Sequence, residues 1–351
     1  MRRTMRALVK PAAGPGLEIR TVPVPTPGPG EALVRVRAGG ICGTDLHIEG
    51  WDPWAASRMH PPRVIGHEFC GTVVKVGPDV HEVSPGDFIS GESHVSCGRC
   101  HLCRRGEAHI CEALQLIGVD RDGAFAEYVI LPARNAWKMP PGTPVDVAAV
   151  MDPFGNAVHT ALATDLSARS VVIMGCGPIG LCAILVARRA GASSIVAVDV
   201  NPYRLRLARR LAADRVLDAR REDVVRVVRG VTEGAGADVL LEFSGNAQGL
   251  RTGLAALRNG GFAALLGLPG QPVELDLANE VIFKGIRLQG IFGRRLWETW
   301  YEATALLASG LDIRPVITHR LPMARFHEAF ALMRSGKCGK VILTVEGGTR
   351  G

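Results

Sequence analysis

The sequence predicts an α/β protein of two domains, one β-rich and one built on a doubly wound parallel sheet. Three observations predict it. A chain of 351 residues is longer than one ordinary core serves. Residues 1 to about 155 read as short strands separated by Gly/Pro punctuation, whereas beyond residue 170 apolar strands alternate with helical stretches. Strands alternating with helices at this spacing imply a parallel sheet covered on both faces.

In chain order, "EALVRVRAGGIC" alternates apolar and polar residues, and "CGTVVKVG" and "GDFISGES" are short strands between turns such as "VPTPGPGE". "SVVIMG" is a buried strand followed by the helical "PIGLCAILVARRAGA", the strand "SIVAVD" and the helical "NPYRLRLARRLAAD". "ADVLLEFSG", "GGFAALLG" and "IRLQGIFG" continue the pattern; "LWETWYEATALLASG" is a further helix, and "GKVILTVEGG" is strand-like again. This pattern divides the chain near residue 155.

With 47% hydrophobic and 21% charged residues, the composition is that of a globular protein rather than a disordered one. The net charge of +7 invites a nucleic-acid partner. Its arginines, however, are scattered over helix faces, with no basic block and no basic stripe interleaved with aromatics, so no nucleic-acid partner is expected. No segment has the length and apolarity of a signal peptide or a membrane span, so the sequence places the chain in the cytoplasm, with no membrane partner.

Gly175-Cys-Gly177-Pro-Ile-Gly180 follows a predicted strand and opens a predicted helix, and Asp199 ends the next strand. In that context GxGxxG is the Rossmann dinucleotide fingerprint. The glycines allow a tight turn, close backbone approach to a pyrophosphate and close helix–strand packing, and the helix N-terminus offers N–H groups to the phosphates. Asp199 suits the ribose hydroxyls of NAD and would repel the 2′-phosphate of NADP; Arg204 nearby keeps NADP open.

Nine cysteines are spread unevenly, and four form Cys97-x2-Cys100-x2-Cys103-x7-Cys111. Four thiolates in so short a loop can enclose one tetrahedral Zn²⁺ with no position left for substrate, a structural zinc. Free buried thiols, a redox pair or an iron–sulfur centre are the alternatives. Cys42 and the adjacent His67 and Glu68 all lie in Gly-bounded loops. Cysteine, histidine and a carboxylate with one open position suit a catalytic zinc, whereas a His-Glu pair alone is more often an ordinary hydrogen-bonded feature.

The "CGTDLH" and "GHE" motifs, the four-cysteine lobe and the nucleotide fingerprint, in this order, resemble the zinc-dependent medium-chain dehydrogenases over almost the whole chain. "HIEGWDPW", "MDPFGNAVHTAL" and "IFKGIRLQGIFGRRLWETWY" resemble the branch of that family that oxidises L-threonine. The resemblance implies a GroES-like catalytic domain at 1–155, completed by 296–351, a parallel-sheet Rossmann domain at 156–295 binding NAD, two zinc ions per chain and a homotetramer. It implies Cys42, His67 and Glu68 as catalytic zinc ligands, with Asp152 close to the metal. Thr44 and His47 match the proton relay. Ile179, Asp199, Arg204, Leu266, Gly267, Leu268, Ile291 and Phe292 join the three glycines at NAD, and His94 falls where the family lines its substrate pocket. A polyol or 2,3-butanediol dehydrogenase of the same family shares all these zinc and NAD residues and remains the alternative.

Overall fold

The computed structural model describes residues 3–345. Residues 346–351, expected to complete the first domain, lie outside the described residues. The chain divides into two compact units. The first comprises Met1–Asp152, Ile317–Ser335 and Lys340–Gly351; the second comprises Pro153–Val316 and Gly336–Gly339.

The first unit is the β-rich body that the sequence predicts. Its largest sheet has seven strands, ordered Ala136–Lys138, Phe88–Gly91, Glu68–Val76, Glu31–Gly40, Lys340–Thr344 and Ile317–Pro322, with Tyr128–Pro132 also paired to Glu31–Gly40. The C-terminal strand therefore sits beside an N-terminal one: Ile342 pairs with Gly40. On its other side Glu31–Gly40 pairs with Glu68–Val76, bringing Gly40 opposite Glu68. These registers deliver residues from near both ends of the chain to one spot.

The second unit is a six-stranded parallel sheet in the order Arg215–Asp218, Ser194–Asp199, Ser170–Met174, Ala237–Glu242, Leu257–Leu265 and Arg287–Gly290. The order reverses between Ser170–Met174 and Ala237–Glu242, the crevice where doubly wound folds hold dinucleotides. Val172, Met174, Val196, Leu240 and Leu254 form part of its core, the buried β-branched and aliphatic run expected when helices cover both faces. Helix Glu298–Ala308, expected with the first domain, belongs to this unit instead; the Arg189 side chain donates to Ser309 Oγ (3.0 Å) and to its carbonyl (3.2 Å), fastening that helix's C-terminal end.

Candidate active site and metal centres

Cys42 is the N-cap of helix Gly43–Gly50, in extended conformation. Its backbone N–H donates to Asp45 Oδ2 (2.8 Å), and its Sγ lies 3.7 Å from Thr44 Oγ1. His67 follows Gly66, whose φ of +94° only glycine adopts readily and whose Cβ would strike the Phe125 ring at 2.4 Å. Glu68 begins its strand fully buried. Gly40, opposite it, leaves the space its carboxylate fills: a Cβ there would lie 2.1 Å from Glu68 Oε2. The double glycine of "AGGIC" thus clears room for a buried acid.

Cys42, His67 and Glu68 offer donor atoms that all lie within 4.8 Å of one another. His67 Nδ1 is buried without a hydrogen-bond partner, its closest carboxylate oxygen being Asp45 Oδ1 at 3.8 Å. Burial pushes the imidazole pKa down, but Cys42 and Asp45, with Asp152 adding, outweigh it and hold it raised to about 10. A cluster that pulls a proton so strongly onto histidine lacks positive charge, which a divalent cation supplies. Soft sulfur, borderline nitrogen and carboxylate oxygen are the donor set zinc takes. These residues fit the metal.

Lys340 is buried beside the cluster. Its Nζ donates to Glu68 Oε1 (2.6 Å) and to the Ile41 carbonyl (2.7 Å), and it lies 2.5 Å from Glu68 Oε2. Burial pushes its pKa down, yet Glu68 and Cys42 hold it raised, so it stays charged. Sequence reasoning missed Lys340, and it placed Asp45 in the Cys42 loop without giving it a role. Asp45 lay within the quoted "CGTDLH", and its only signal was a carboxylate in the first turn after a ligand. Lys340 gave none: a lysine opening a terminal strand reads as surface. Asp152 is buried, and its Oδ2 accepts from Ser93 Oγ (2.7 Å). It lies outside the trio of mutually close donors but adds its negative charge to the field on His67 and Glu68. His94 is buried, its Nδ1 3.4 Å from Glu92 Oε1.

The second cluster is local. Cys97, Cys100, Cys103 and Cys111 have donor atoms within 4.8 Å of one another; Cys100 Sγ lies 3.5 Å from Cys103 Sγ and 3.9 Å from Cys111 Sγ, and Cys97 Sγ lies 4.0 Å from Cys103 Sγ. Tetrahedral zinc with about 2.3 Å bonds needs sulfurs about 3.8 Å apart. The N–H groups of Arg99 and Cys100 point at Cys97 Sγ and hold its thiol down at about 6, whereas burial pushes Cys103 up to about 12. Partial thiolate character with donors already aimed at sulfur fits a closed metal site.

In the nucleotide unit the three glycines separate by role. Gly175 has φ +95°, and a Cβ would lie 2.8 Å from Ser244 N. Around Gly177, the N-cap of helix Pro178–Arg189, a Cβ would meet nothing within 4 Å, leaving open space for a ligand. At Gly180 a Cβ would lie 1.9 Å from the Gly175 carbonyl, so helix and loop touch there. Ile179 is half-buried in the first turn of that helix. Asp199 Oδ2 accepts from Cys176 N, and Oδ1 from Val200 N and Asn201 N, each at 2.7 Å. Arg204 Nε is buried and unpaired. Leu266 and Gly267 donate backbone N–H groups to the Glu242 carbonyl (3.0 Å each), Leu268 is exposed, Ile291 is buried and Phe292 half-exposed. These residues fit a dinucleotide.

Residues 28–141 match the model of the alcohol dehydrogenase GroES-like domain, and residues 178–309 match that of the zinc-binding dehydrogenases. The chain belongs to the zinc-binding dehydrogenases. This dehydrogenase is 52% identical to the L-threonine 3-dehydrogenase of Symbiobacterium thermophilum, over 98% of each chain, and 46% identical to that of Pyrococcus horikoshii, over 99% of this chain and 100% of the other. Among solved structures, it resembles a zinc-binding dehydrogenase from Sinorhizobium meliloti bound to NADP (TM-score 0.89, 32% identity, 98% of this chain and 100% of that one). It also resembles an alcohol dehydrogenase from Escherichia coli complexed with NADH (TM-score 0.90, 26% identity, the same coverage). Among the described residues no helix is long and apolar enough to cross a membrane.

Proposed function

We propose that this dehydrogenase oxidises the β-hydroxyl of L-threonine to 2-amino-3-ketobutyrate with NAD, in the cytoplasm and as a homotetramer. The observation that carries the substrate is the 52% identity to an L-threonine 3-dehydrogenase over 98% of both chains. Cys42, His67 and Glu68 would hold the catalytic zinc and the four lobe cysteines a structural one. Bound there, zinc would supply Lewis acidity toward the substrate hydroxyl, and NAD the hydride acceptor.

The chain's own residues do the rest. Lys340 pairs with Glu68, so that the buried carboxylate has a counter-charge of its own. Asp45 lies beside His67, and Ser93 fixes Asp152. Thr44, with its hydroxyl 3.7 Å from Cys42 Sγ, takes up the proton the substrate loses, and His47 hands it to solvent. Asp199 would accept from the adenosine ribose and disfavour a 2′-phosphate.

Self-association is supported by the strand Arg287–Gly290, which ends its sheet, and by exposed Leu277, Ile282, Phe283 and Leu288 close to it in sequence. An open strand edge beside apolar side chains is what a second copy can cover.

A substrate panel followed by NADH absorbance tests the reading. L-threonine should give a higher kcat/KM than D-threonine, 2,3-butanediol or sorbitol, because a pocket built to pair with ammonium and carboxylate leaves buried polar groups unpaired on an uncharged alcohol. A diol or polyol outrunning L-threonine would replace the substrate and leave the zinc and NAD reading intact.

A further inference from the structure

Helix Gly43–Gly50 ends in a turn that grips His47. Trp51 takes the left-handed conformation at φ 55° and returns its N–H to the His47 carbonyl. Asp52 does so as well, at 3.3 Å. The Asp52 side chain then divides its two oxygens. Oδ1 accepts from Ala55 N (2.9 Å) as the N-cap of helix Pro53–Arg58, and Oδ2 lies 2.5 Å from His47 Nδ1. Trp54, in the first turn of the same helix, meets the imidazole edge to face at 6.2 Å. The His47 side chain nevertheless stays 58% exposed.

An ion pair this exposed adds little to stability. What it decides is which ring nitrogen carries the proton. Burial pushes the Asp52 carboxyl pKa up, but the Ala55 N–H and then His47 outweigh that and hold it below the usual range. Asp52 is therefore an acceptor, and Nδ1 must be the N–H that meets it.

We propose that Asp52 is a positioning residue of the proton path: its carboxylate keeps one His47 proton on Nδ1 and so presents Nε2 as the acceptor. The proposal rests on His47 serving the oxidation as a relay. In each turnover the relay's O–H bond breaks as an N–H bond forms at Nε2. The imidazolium is paired with Asp52 while it exists, and the Nε2 proton then leaves to water. The Nδ1 proton stays throughout, and no other reactant is needed.

Asp52→Asn separates this from a structural role. Asparagine caps a helix as well as aspartate does, so Oδ1 still serves Ala55. The amide Nδ2 replaces Oδ2 and donates to Nδ1, which moves the ring proton to Nε2, the wrong tautomer for accepting. In the holoenzyme, kcat for L-threonine should fall about tenfold or more, with KM for NAD and the melting temperature unchanged. The ¹⁵N spectrum of histidine-labelled protein should show protonation of His47 moving from Nδ1 to Nε2, with His47→Asn identifying the signals. Should Asp52→Asn fail to fold, Asp52→Ser, which also caps but cannot reach Nδ1, takes its place with the same expected loss of kcat. If Asp52→Asn keeps both tautomer and kcat while His47→Asn is slow, Asp52 has no such role and the relay stands. If His47→Asn is itself as fast as the parent enzyme, the relay reading falls and takes this proposal with it.

Discussion

The two cysteine-bearing clusters of the first unit are built in opposite ways. Cys97, Cys100, Cys103 and Cys111 meet within one short lobe, with donors from the same loop aimed at Cys97 Sγ. Cys42, His67 and Glu68 come from two distant loops, and Lys340 reaches them from the C-terminal strand. The lobe satisfies its sulfurs locally. The other cluster is held by sheet register and is short of positive charge, with a buried His67 Nδ1 that no hydrogen bond reaches. A closed set of four thiolates serves folding, whereas an open mixed set in a buried, strained electrostatic field serves chemistry.

Exchanging one ligand from each cluster gives the largest contrast. Cys42→Ser should lower kcat by at least about a thousandfold, since it strikes the metal's Lewis acidity, with little change in the melting temperature. Cys97→Ser should do the reverse: it opens a closed site whose metal binding is folding free energy, so the melting temperature falls steeply while any folded fraction keeps its turnover. Elemental analysis should find two zinc ions per chain in the parent and one in Cys42→Ser. Equal loss of folding in both variants would erase the distinction.

The same contrast explains what could be read from the sequence. The lobe was legible because its four cysteines are neighbours, and the nucleotide fingerprint because its three glycines and Asp199 fall on one strand–helix–strand unit. The alternation of strands and helices likewise exposed the parallel sheet. Lys340 was not legible, because its importance comes from pairing: Gly40 lies opposite Glu68 on one side and Ile342 on the other. No spacing along the chain encodes that meeting. Helix Glu298–Ala308 was misplaced for a similar reason. Its own pattern marks a helix, but only its partners, such as Arg189 against Ser309, decide which body it joins.

Lys340→Met sharpens the comparison at intermediate size. Removing one partner of a buried ion pair costs about 3–5 kcal/mol when nothing replaces it. In the zinc-free protein Glu68 would then be left among Cys42, Asp45 and Asp152 with no lysine beside it, so stability should drop by several degrees. In the zinc-loaded protein the metal's charge compensates Glu68, and the drop should be smaller. Melting temperatures of both forms, with and without added zinc, measure the difference. An equal loss in the two forms would mean that Lys340 packs the strand and has no electrostatic part in the site.

The smallest expected effect lies in the second unit, where Asp199 combines both styles. Its carboxylate already accepts three backbone N–H groups, from Cys176, Val200 and Asn201, so like the lobe it is satisfied by its own surroundings. Like the open cluster, it also stands where a ligand is expected, at the end of the strand beside the fingerprint. Both roles predict a mixed outcome for Asp199→Ala. The ratio of kcat/KM for NAD to that for NADP, expected to be at least about tenfold in the parent, a little over 1 kcal/mol, should shrink as repulsion of the 2′-phosphate disappears. The melting temperature should fall too, because Cys176 N–H loses its acceptor inside the glycine loop. Arg204 sets the opposing pull, since its buried, unpaired Nε would welcome a phosphate. Asp199→Ala with Arg204 intact should therefore move toward NADP, and adding Arg204→Ala should return part of the preference. A parent enzyme that uses both cofactors equally would show that Arg204 already prevails over the carboxylate.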